Sequence, residues 1–383
     1  MTHEPKRVLV LSGGGGRGAF HAGVYKYLME ASKNGVDAAH SGPWKPEVVV
    51  GTSIGAVNGA AIAQGLSAED LVEVWKNLEE KDIQGIPPHM HGLARWIVTK
   101  LFGQVMDASL PQVLDEPTSP VPEDFWPPLP LLPRWLADRI IGRWINLLDT
   151  GPLKKTLHSR FQFDPKKLAA SETALLISAT KIKTGERVLF SNRDVFDYKR
   201  GRARPDVFKD ITAERILASC SIPLIYPWTE DKPTRSLYWD GALVANTPLG
   251  AALDLMGDDV NIPAEIVIVM MTPWWETGEP APESARDKPK SFGDAITWML
   301  DWMLLASFRE NLKMIRAFNE LAERERKEGK QPYRYRLVTP IIVAPKDFME
   351  VERIIDYDGD VSGKLICDGH VAAKERFEAL FKA

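Results

Sequence analysis

A serine flanked by glycines lies between an apolar segment and a run of small residues. Gly51-Thr52-Ser53-Ile54-Gly55 matches the G-x-S-x-G pattern, in which a serine occupies a sharp turn from a strand to a helix. Such a turn lifts the hydroxyl above the sheet, and glycines on both sides avoid clashes in the bend. The start of the following helix also favours negative charge near the serine. The pattern indicates a nucleophilic serine, and its alternative is a glycine-rich turn with a capping serine.

A second glycine-rich turn, Gly13-Gly14-Gly15-Gly16-Arg17-Gly18, follows the first apolar segment and opens a helix. The spacing of Gly13, Gly15 and Gly18 also fits a dinucleotide-binding fingerprint. That fingerprint needs an acidic residue at the end of the second strand, where this chain has Val50-Gly51-Thr52-Ser53. A glycine loop instead leaves backbone N–H groups free to converge on an oxyanion, as acyl transfer requires. The two turns together predict an ester-hydrolase site.

The base that would activate the serine has two candidates. Of the seven histidines, only His370 follows the order serine, aspartate, histidine of an α/β-hydrolase triad, and its position favours a capping or solvent-facing role. Asp240, in Trp239-Asp240-Gly241-Ala242, is the stronger candidate, because an acid followed by glycine at a strand end can approach a serine without obstruction. Partial burial would raise its pKa from about 3.9 and favour proton uptake. An ordinary Asp-Gly turn would have the same sequence.

These three motifs together resemble the signatures of the patatin-like phospholipase family, in the family's order and approximate spacing. Ala218-Ser219-Cys220-Ser221-Ile222-Pro223 and Asn246-Thr247-Pro248 are similar to the family as well. The resemblance covers about residues 8–271, apart from an insertion. It implies a Ser–Asp dyad without histidine, in which Ser53 is the nucleophile and Asp240 the base. The implied activity is that of a serine ester hydrolase, a lipid acyl hydrolase of the phospholipase A or lysophospholipase type that works through an acyl-enzyme.

The resemblance also implies roles for the residues around the dyad. The amides of Gly14 and Gly15, with Gly16 beside them, would form the oxyanion hole. Arg17 would stabilise that loop or bind a lipid phosphate. The backbone of the motifs would be supported by Gly13, Gly18, Gly51, Gly55 and Gly241. No metal or organic cofactor is implied, and the expected partner is a lipid substrate, with peripheral membrane contact.

Strands and helices that could position these residues alternate along the chain. Strands are predicted at Val8–Leu11, Val48–Val50, Ala174–Thr180, Arg187–Ser191, Tyr238–Trp239 and Glu265–Met271. Helices are predicted after the two glycine turns, at Ala19–Ala31 and Ala56–Gln64. The alternation predicts an α/β fold with a mainly parallel central sheet covered on both faces, in keeping with the three-layer fold that the resemblance implies. We assign residues 1–275 to this catalytic domain.

An insertion of different character occupies about residues 90–148. Amphipathic segments from Ala94 to Val105 and from Ala137 to Leu148 flank a proline-rich segment from Pro111 to Pro133. We interpret the insertion as a mobile apolar cap that also meets lipid surfaces, with packing on the protein's own core as the alternative. The tryptophans that motivate this interpretation are Trp96, Trp126, Trp135 and Trp144.

Residues 276–383 are predicted to form a mainly helical C-terminal region that packs on the core. This region contains a predicted helix over Ser291–Lys327, a strand within Arg334–Ala344 and a final helix over Val371–Phe381.

Composition narrows the class of protein further. A chain of 383 residues that is 44% apolar can bury a sizeable core, and its net charge of −4, without blocks of like charge, argues against a nucleic-acid partner. Cys220 and Cys367 are too few for a disulfide framework, and we interpret both as structural residues in a reducing compartment. No apolar stretch reaches the roughly 18 residues that span a bilayer, and the N-terminus lacks a signal-peptide core. We therefore expect a cytoplasmic protein with peripheral membrane contact.

Two other functions remain open from the sequence. One is a Ser-Asp-His hydrolase of small esters, which needs His370 beside Ser53. The other is a non-catalytic lipid-binding or regulatory module on the same fold, against which the intact serine, aspartate and glycine loop argue.

Overall fold

The computed structural model describes residues 4–33, 44–85, 148–198, 200–276, 278–285, 288, 292–329, 331–349 and 357–382. Nearly all of the predicted insertion at 90–148 lies outside these residues, and so does its interpretation as a cap. In the described part of the chain, no helix is both long enough and apolar enough to cross a bilayer.

Eleven strands are present in the described residues. They are β1 (Lys6–Leu11), β2 (Val48–Thr52), β3 (Ala174–Lys181), β4 (Arg187–Ser191), β5 (Phe196–Asp197), β6 (Arg202–Ala203), β7 (Val207–Lys209), β8 (Thr229–Asp231), β9 (Ser236–Asp240), β10 (Ala264–Val269) and β11 (Val338–Val343). Each of the six strands predicted from the first 275 residues is present, within two residues at either end.

Ten α-helices lie between and after these strands in the described residues. They are α1 (Ala19–Lys33), α2 (Ile54–Ala63), α3 (Ala68–Lys76), α4 (Glu80–Ile83), α5 (Gly151–Ser159), α6 (Pro165–Ala169), α7 (Ala213–Ser219), α8 (Leu249–Leu255), α9 (Phe292–Glu328) and α10 (Gly359–Lys382). Two short 3₁₀ turns, Gly15–Gly18 and Gly241–Leu243, follow β1 and β9.

The central sheet has nine strands in the described part of the chain. Its main path runs β11-β10-β1-β2-β3-β4-β7, and β9 pairs with β3 and carries β8 beyond it. All pairs from β11 to β3 are parallel, whereas β4 and β9 run antiparallel to β3. The prediction of a mainly parallel sheet is therefore confirmed.

Helices cover both faces of this sheet and bury a separate apolar core on each. Alternate residues of β1 and β2 point to opposite faces, so that Leu9 and Val49 join one core and Val8 and Val48 the other. The first core includes residues of α1, α2, α3 and α10, and the second includes residues of α8 and α9. The result is a three-layer α/β architecture in which the central strands are apolar on both faces.

Two details of the C-terminal region differ from the prediction. Helix α10 begins at Gly359, twelve residues before the predicted start at Val371. On that helix Cys367 is exposed, which does not fit its interpretation as a structural residue of the core, whereas Cys220 is buried.

Candidate active site

Ser53 occupies the turn between β2 and α2 in a strained conformation. Its backbone has φ 56 and ψ −128, a region that residues with a side chain rarely enter. The neighbouring glycines leave no room for side chains: a Cβ on Gly51 would lie 2.3 Å from the Gly55 carbonyl oxygen, and one on Gly55 would lie 2.2 Å from the Leu11 carbonyl oxygen. The Ser53 N–H donates to Ser219 Oγ at 2.9 Å. The turn is thus held in the shape that presents the hydroxyl above the strand ends.

Asp240 reaches this serine because two strands end one residue apart on β3. Strand β2 ends with Thr52 opposite Ser178, and β9 ends with Asp240 opposite Ala179. Since the other edge of β3 is occupied by β4, β2 and β9 lie on the same edge and approach each other end to end. The Ser53 side chain is close enough to the Asp240 carboxyl group to lower the pKa of that group.

The surroundings of Asp240 determine its protonation. Burial raises the pKa of Asp240 to about 7, while hydrogen bonds from Ser53 and from the Ala242 N–H, 2.8 Å from Oδ1, limit the rise. Gly241 permits this approach, because a Cβ there would lie 2.3 Å from the Ser178 carbonyl oxygen. A carboxyl group with this pKa can accept a proton near neutral pH and return it.

The glycine loop lies against the serine turn. A Cβ added to Gly13 would be 3.1 Å from Ser53 Cβ, and one added to Gly14 would be 2.6 Å from Met271 Cγ. Gly15 has a φ of 58, which glycine adopts without strain. Gly15 and Gly16 begin the 3₁₀ turn, where the first N–H groups have no acceptor within the helix. Gly18, which ends that turn, has no room for a Cβ beside Ile54 and Trp75.

Arg17 points away from solvent and into the protein. Its side chain is fully buried, and Nη1 lies 2.8 Å from Asp301 Oδ1 on α9. Nη2 donates to the Met349 carbonyl oxygen at 3.2 Å. Of the two roles suggested by the resemblance, this geometry favours stabilisation of the glycine loop over binding of a lipid phosphate.

His370 makes its contacts elsewhere. Its Nε2 lies 2.8 Å from Glu30 Oε2, and its ring packs edge-on against Tyr27, so the histidine belongs to the interface of α10 with α1. The triad alternative needs His370 beside Ser53, where Asp240 is found instead.

Three residues contribute to the site without a role assigned from sequence. Ser219 accepts from the Ser53 N–H, and the Ser221 carbonyl oxygen accepts from the Asp240 N–H at 2.9 Å. The end of α7 and the residues that follow it therefore hold both the serine and the aspartate. Asn246 Oδ1 accepts from the Gly13 N–H at 2.7 Å and so holds the glycine loop. The sequence signal that could have identified these three residues is their place in the two further stretches that resemble the family, 218–223 and 246–248.

The solved structures that this chain resembles share little sequence identity with it. The chain is similar to VipD from Legionella pneumophila, with 13% identity, a TM-score of 0.39 and coverage of 98% of this chain and 67% of that one. It is similar to the type III effector protein ExoU, with 12% identity, a TM-score of 0.38 and coverage of 99% of this chain and 54% of that one. For ExoU in its complex with SpcU from Pseudomonas aeruginosa, the identity is 15%, the TM-score 0.32 and the coverage 100% and 53%. The chain thus spans about half the length of the ExoU chains.

No curated protein matches the sequence. The family model for patatin, described as patatin-like phospholipase, matches residues 9–253. This match contains all three motifs and most of the central sheet. The chain therefore belongs to the patatin-like phospholipase family.

Proposed function

We propose that the protein hydrolyses fatty-acyl ester bonds of lipids through a Ser53–Asp240 dyad. The observation that carries the proposal is the placement of a buried carboxyl group beside the serine turn, where β9 ends next to β2 and the pKa of Asp240 is raised to about 7. Family membership supports a lipid substrate.

Acylation begins when Asp240 accepts the Ser53 proton and Oγ attacks the ester carbonyl carbon. Amides of the glycine loop, at Gly14, Gly15 and Gly16, stabilise the oxyanion of the tetrahedral intermediate. Collapse of this intermediate breaks the ester bond, and Asp240 returns its proton to the departing alcohol. The acyl chain remains on Ser53.

Deacylation uses the same groups in the same order. Asp240 takes a proton from water, the resulting hydroxide attacks the acyl-enzyme, and the loop amides hold the second oxyanion. The intermediate then releases the fatty acid, and Ser53 regains its proton from Asp240. The cycle consumes one water and returns both residues to their starting states.

The test combines active-site labelling with a substrate panel. Wild-type protein should react with a fluorophosphonate probe and cleave at least one of a phospholipid, a lysophospholipid, a triacylglycerol and a short-chain ester. Ser53→Ala and Asp240→Asn should each lower kcat by several decades in a folded protein, because they remove the nucleophile and the base. His370→Ala is the control and should retain near wild-type activity.

Each alternative has its own outcome. Retention of more than about a tenth of the activity by folded Asp240→Asn contradicts the dyad. A loss in His370→Ala as large as that in Ser53→Ala supports a histidine triad. Failure of the wild-type protein to react with the probe or to cleave any lipid indicates a non-catalytic lipid-binding module.

A further inference from the structure

Asn246 lies beside the nucleophile with its amide group in a fixed orientation. The residue is 1% exposed and follows the 3₁₀ turn that begins after Asp240. Its Oδ1 accepts from the Gly13 N–H at 2.7 Å. Because a backbone N–H can only donate, the oxygen of the side-chain amide has to face Gly13, and the NH₂ group has to face elsewhere.

Asn246 and Ser53 both lie close to Gly13. The position that a Cβ of Gly13 would occupy is 3.3 Å from Asn246 Oδ1 and 3.1 Å from Ser53 Cβ. The asparagine amide and the nucleophile therefore both lie next to this glycine, in the loop whose amides face the reacting carbonyl group in the proposed mechanism.

The Asn246 NH₂ group is buried and has no hydrogen-bond partner in the described part of the chain. Two other buried asparagines use both ends of their amides. Asn58 Nδ2 donates to the Gly18 carbonyl oxygen while Oδ1 accepts from Trp75. Asn192 Nδ2 donates to two carbonyl oxygens, and its Oδ1 accepts from the Leu175 N–H. Buried amides are rarely left half-paired, so this unpaired donor near the nucleophile is a candidate partner for a ligand.

The backbone around Asn246 is held on two sides. The Ala245 carbonyl oxygen accepts from Ser178 Oγ at 3.0 Å, and the Asn246 N–H donates to Ser307 Oγ at 3.3 Å. A donor supported in this way reorganises little when charge develops near it, which is the property that makes an oxyanion site effective.

We propose that Asn246 Nδ2 donates a hydrogen bond to the substrate carbonyl oxygen as that oxygen becomes negative, which makes Asn246 a catalytic residue. The inference rests on the proposed ester hydrolysis and adds a side-chain donor to the glycine-loop amides. The same side chain then has two functions: its oxygen holds the loop at Gly13, and its nitrogen binds the oxyanion.

Two substitutions separate these functions. Asn246→Asp keeps an acceptor for the Gly13 N–H and removes the donor, whereas Asn246→Ala removes both without adding charge. Asn192→Asp is the matched control, because it changes a buried asparagine whose Oδ1 also accepts a backbone N–H but which bonds to β3 and α6. Thermal unfolding establishes that each variant is folded.

The readouts are kcat, KM and the ratio of hydrolysis rates for an ester and its thionoester, whose C=S sulfur is a weak hydrogen-bond acceptor. We expect both Asn246 variants to lose about 10²-fold in kcat with little change in KM, as is typical for loss of one oxyanion donor. The ester-to-thionoester ratio should fall in Asn246→Ala, because the donor favours oxygen over sulfur. Asn192→Asp should keep the wild-type kcat and ratio.

Other results overturn the inference. If Asn246→Asp keeps the wild-type kcat, only the oxygen of the side-chain amide contributes to activity. An unchanged ester-to-thionoester ratio in Asn246→Ala means that the side chain only shapes the loop. A wild-type protein that cleaves no ester refutes the proposed hydrolysis itself, and it is recognised before any variant is compared.

Discussion

The chemistry of Asp240 depends on its surroundings. In water its carboxyl group would be a weak base with a pKa near 3.9. Burial raises that pKa to about 7, so the group both takes up and releases protons near neutrality. The sequence indicated the residue and the direction of the shift, because an acid at a strand end beside a nucleophile is expected to be buried. The size of the shift needed the structure.

The proposed hydrolase activity should depend on pH through this group. Since the base acts when ionised, kcat/KM should rise with pH and level off above about 7. The measurement is a pH profile with the best substrate of the panel, recorded in buffers that leave the protein folded. A profile already level at pH 5 would show that the base has an ordinary carboxyl pKa.

The stability of the folded protein should fall as pH rises, whereas the activity should increase. The folded pKa of Asp240 lies above its unfolded value, so between roughly pH 4 and 7 the folded state holds the extra proton and stability falls as pH rises. Asp240→Asn removes this ionisation. We expect a higher melting temperature than wild type at pH 8, and a smaller difference at pH 4. Equal differences at both pH values would mean that the substitution acts through packing alone.

At the scale of secondary structure, the packing of α1 against α10 explains where sequence reasoning failed. Glycines at 359, 363 and 369 lower helix propensity, so the sequence favoured a start after them. In the structure Gly369 allows the two helix backbones to meet, because a Cβ there would lie 2.2 Å from the Phe20 carbonyl oxygen. Tertiary contact outweighs the local preference, and the helix begins earlier. By contrast, the central strands were predictable because burial on both faces requires continuous apolar runs.

Gly369→Ala should therefore destabilise the protein. The added methyl group would force α1 and α10 apart, and overpacking of this kind costs about 1–3 kcal/mol. Gly363→Ala is the matched control on the same helix, because a Cβ there meets nothing within 4 Å. It should be neutral or stabilising by up to about 1 kcal/mol. Chemical denaturation measures both variants, and equal effects would exclude close backbone contact as the reason for Gly369.

At the scale of the whole molecule, the C-terminal region is part of the same α/β fold as the candidate site. Strand β11 extends the central sheet beside β10, and α9 supplies Asp301 to the buried Arg17 of the glycine loop. The sequence predicted that residues 276–383 pack on the core. It offered no signal for the ion pair, because its partners are 284 residues apart and Asp301 belongs to no recognisable pattern.

Loss of one partner of this pair should affect both stability and catalysis. Asp301→Ala leaves a buried guanidinium without its carboxylate, which typically costs about 3–5 kcal/mol.

Because Arg17 is fully buried, Arg17→Ala should reduce hydrolysis of phospholipids and neutral esters equally. The measurements are chemical denaturation and the ratio of activities on the two substrate classes. A loss confined to phospholipids would show that Arg17 binds a phosphate after all.

Because β2 and β9 meet end to end on one edge of β3, the distance between the two residues of the proposed dyad can change only in steps. A strand can shift along its neighbour only by whole residues, and a shift of one residue would turn the Asp240 side chain to the opposite face of the sheet. The turn at residues 232–235, outside this ladder, can change in length without moving the aspartate. An insertion within β9 itself cannot lengthen the distance between Ser53 and Asp240 by a small amount. Mutational change along this part of the chain should therefore leave the site intact or abolish it, with few intermediate forms.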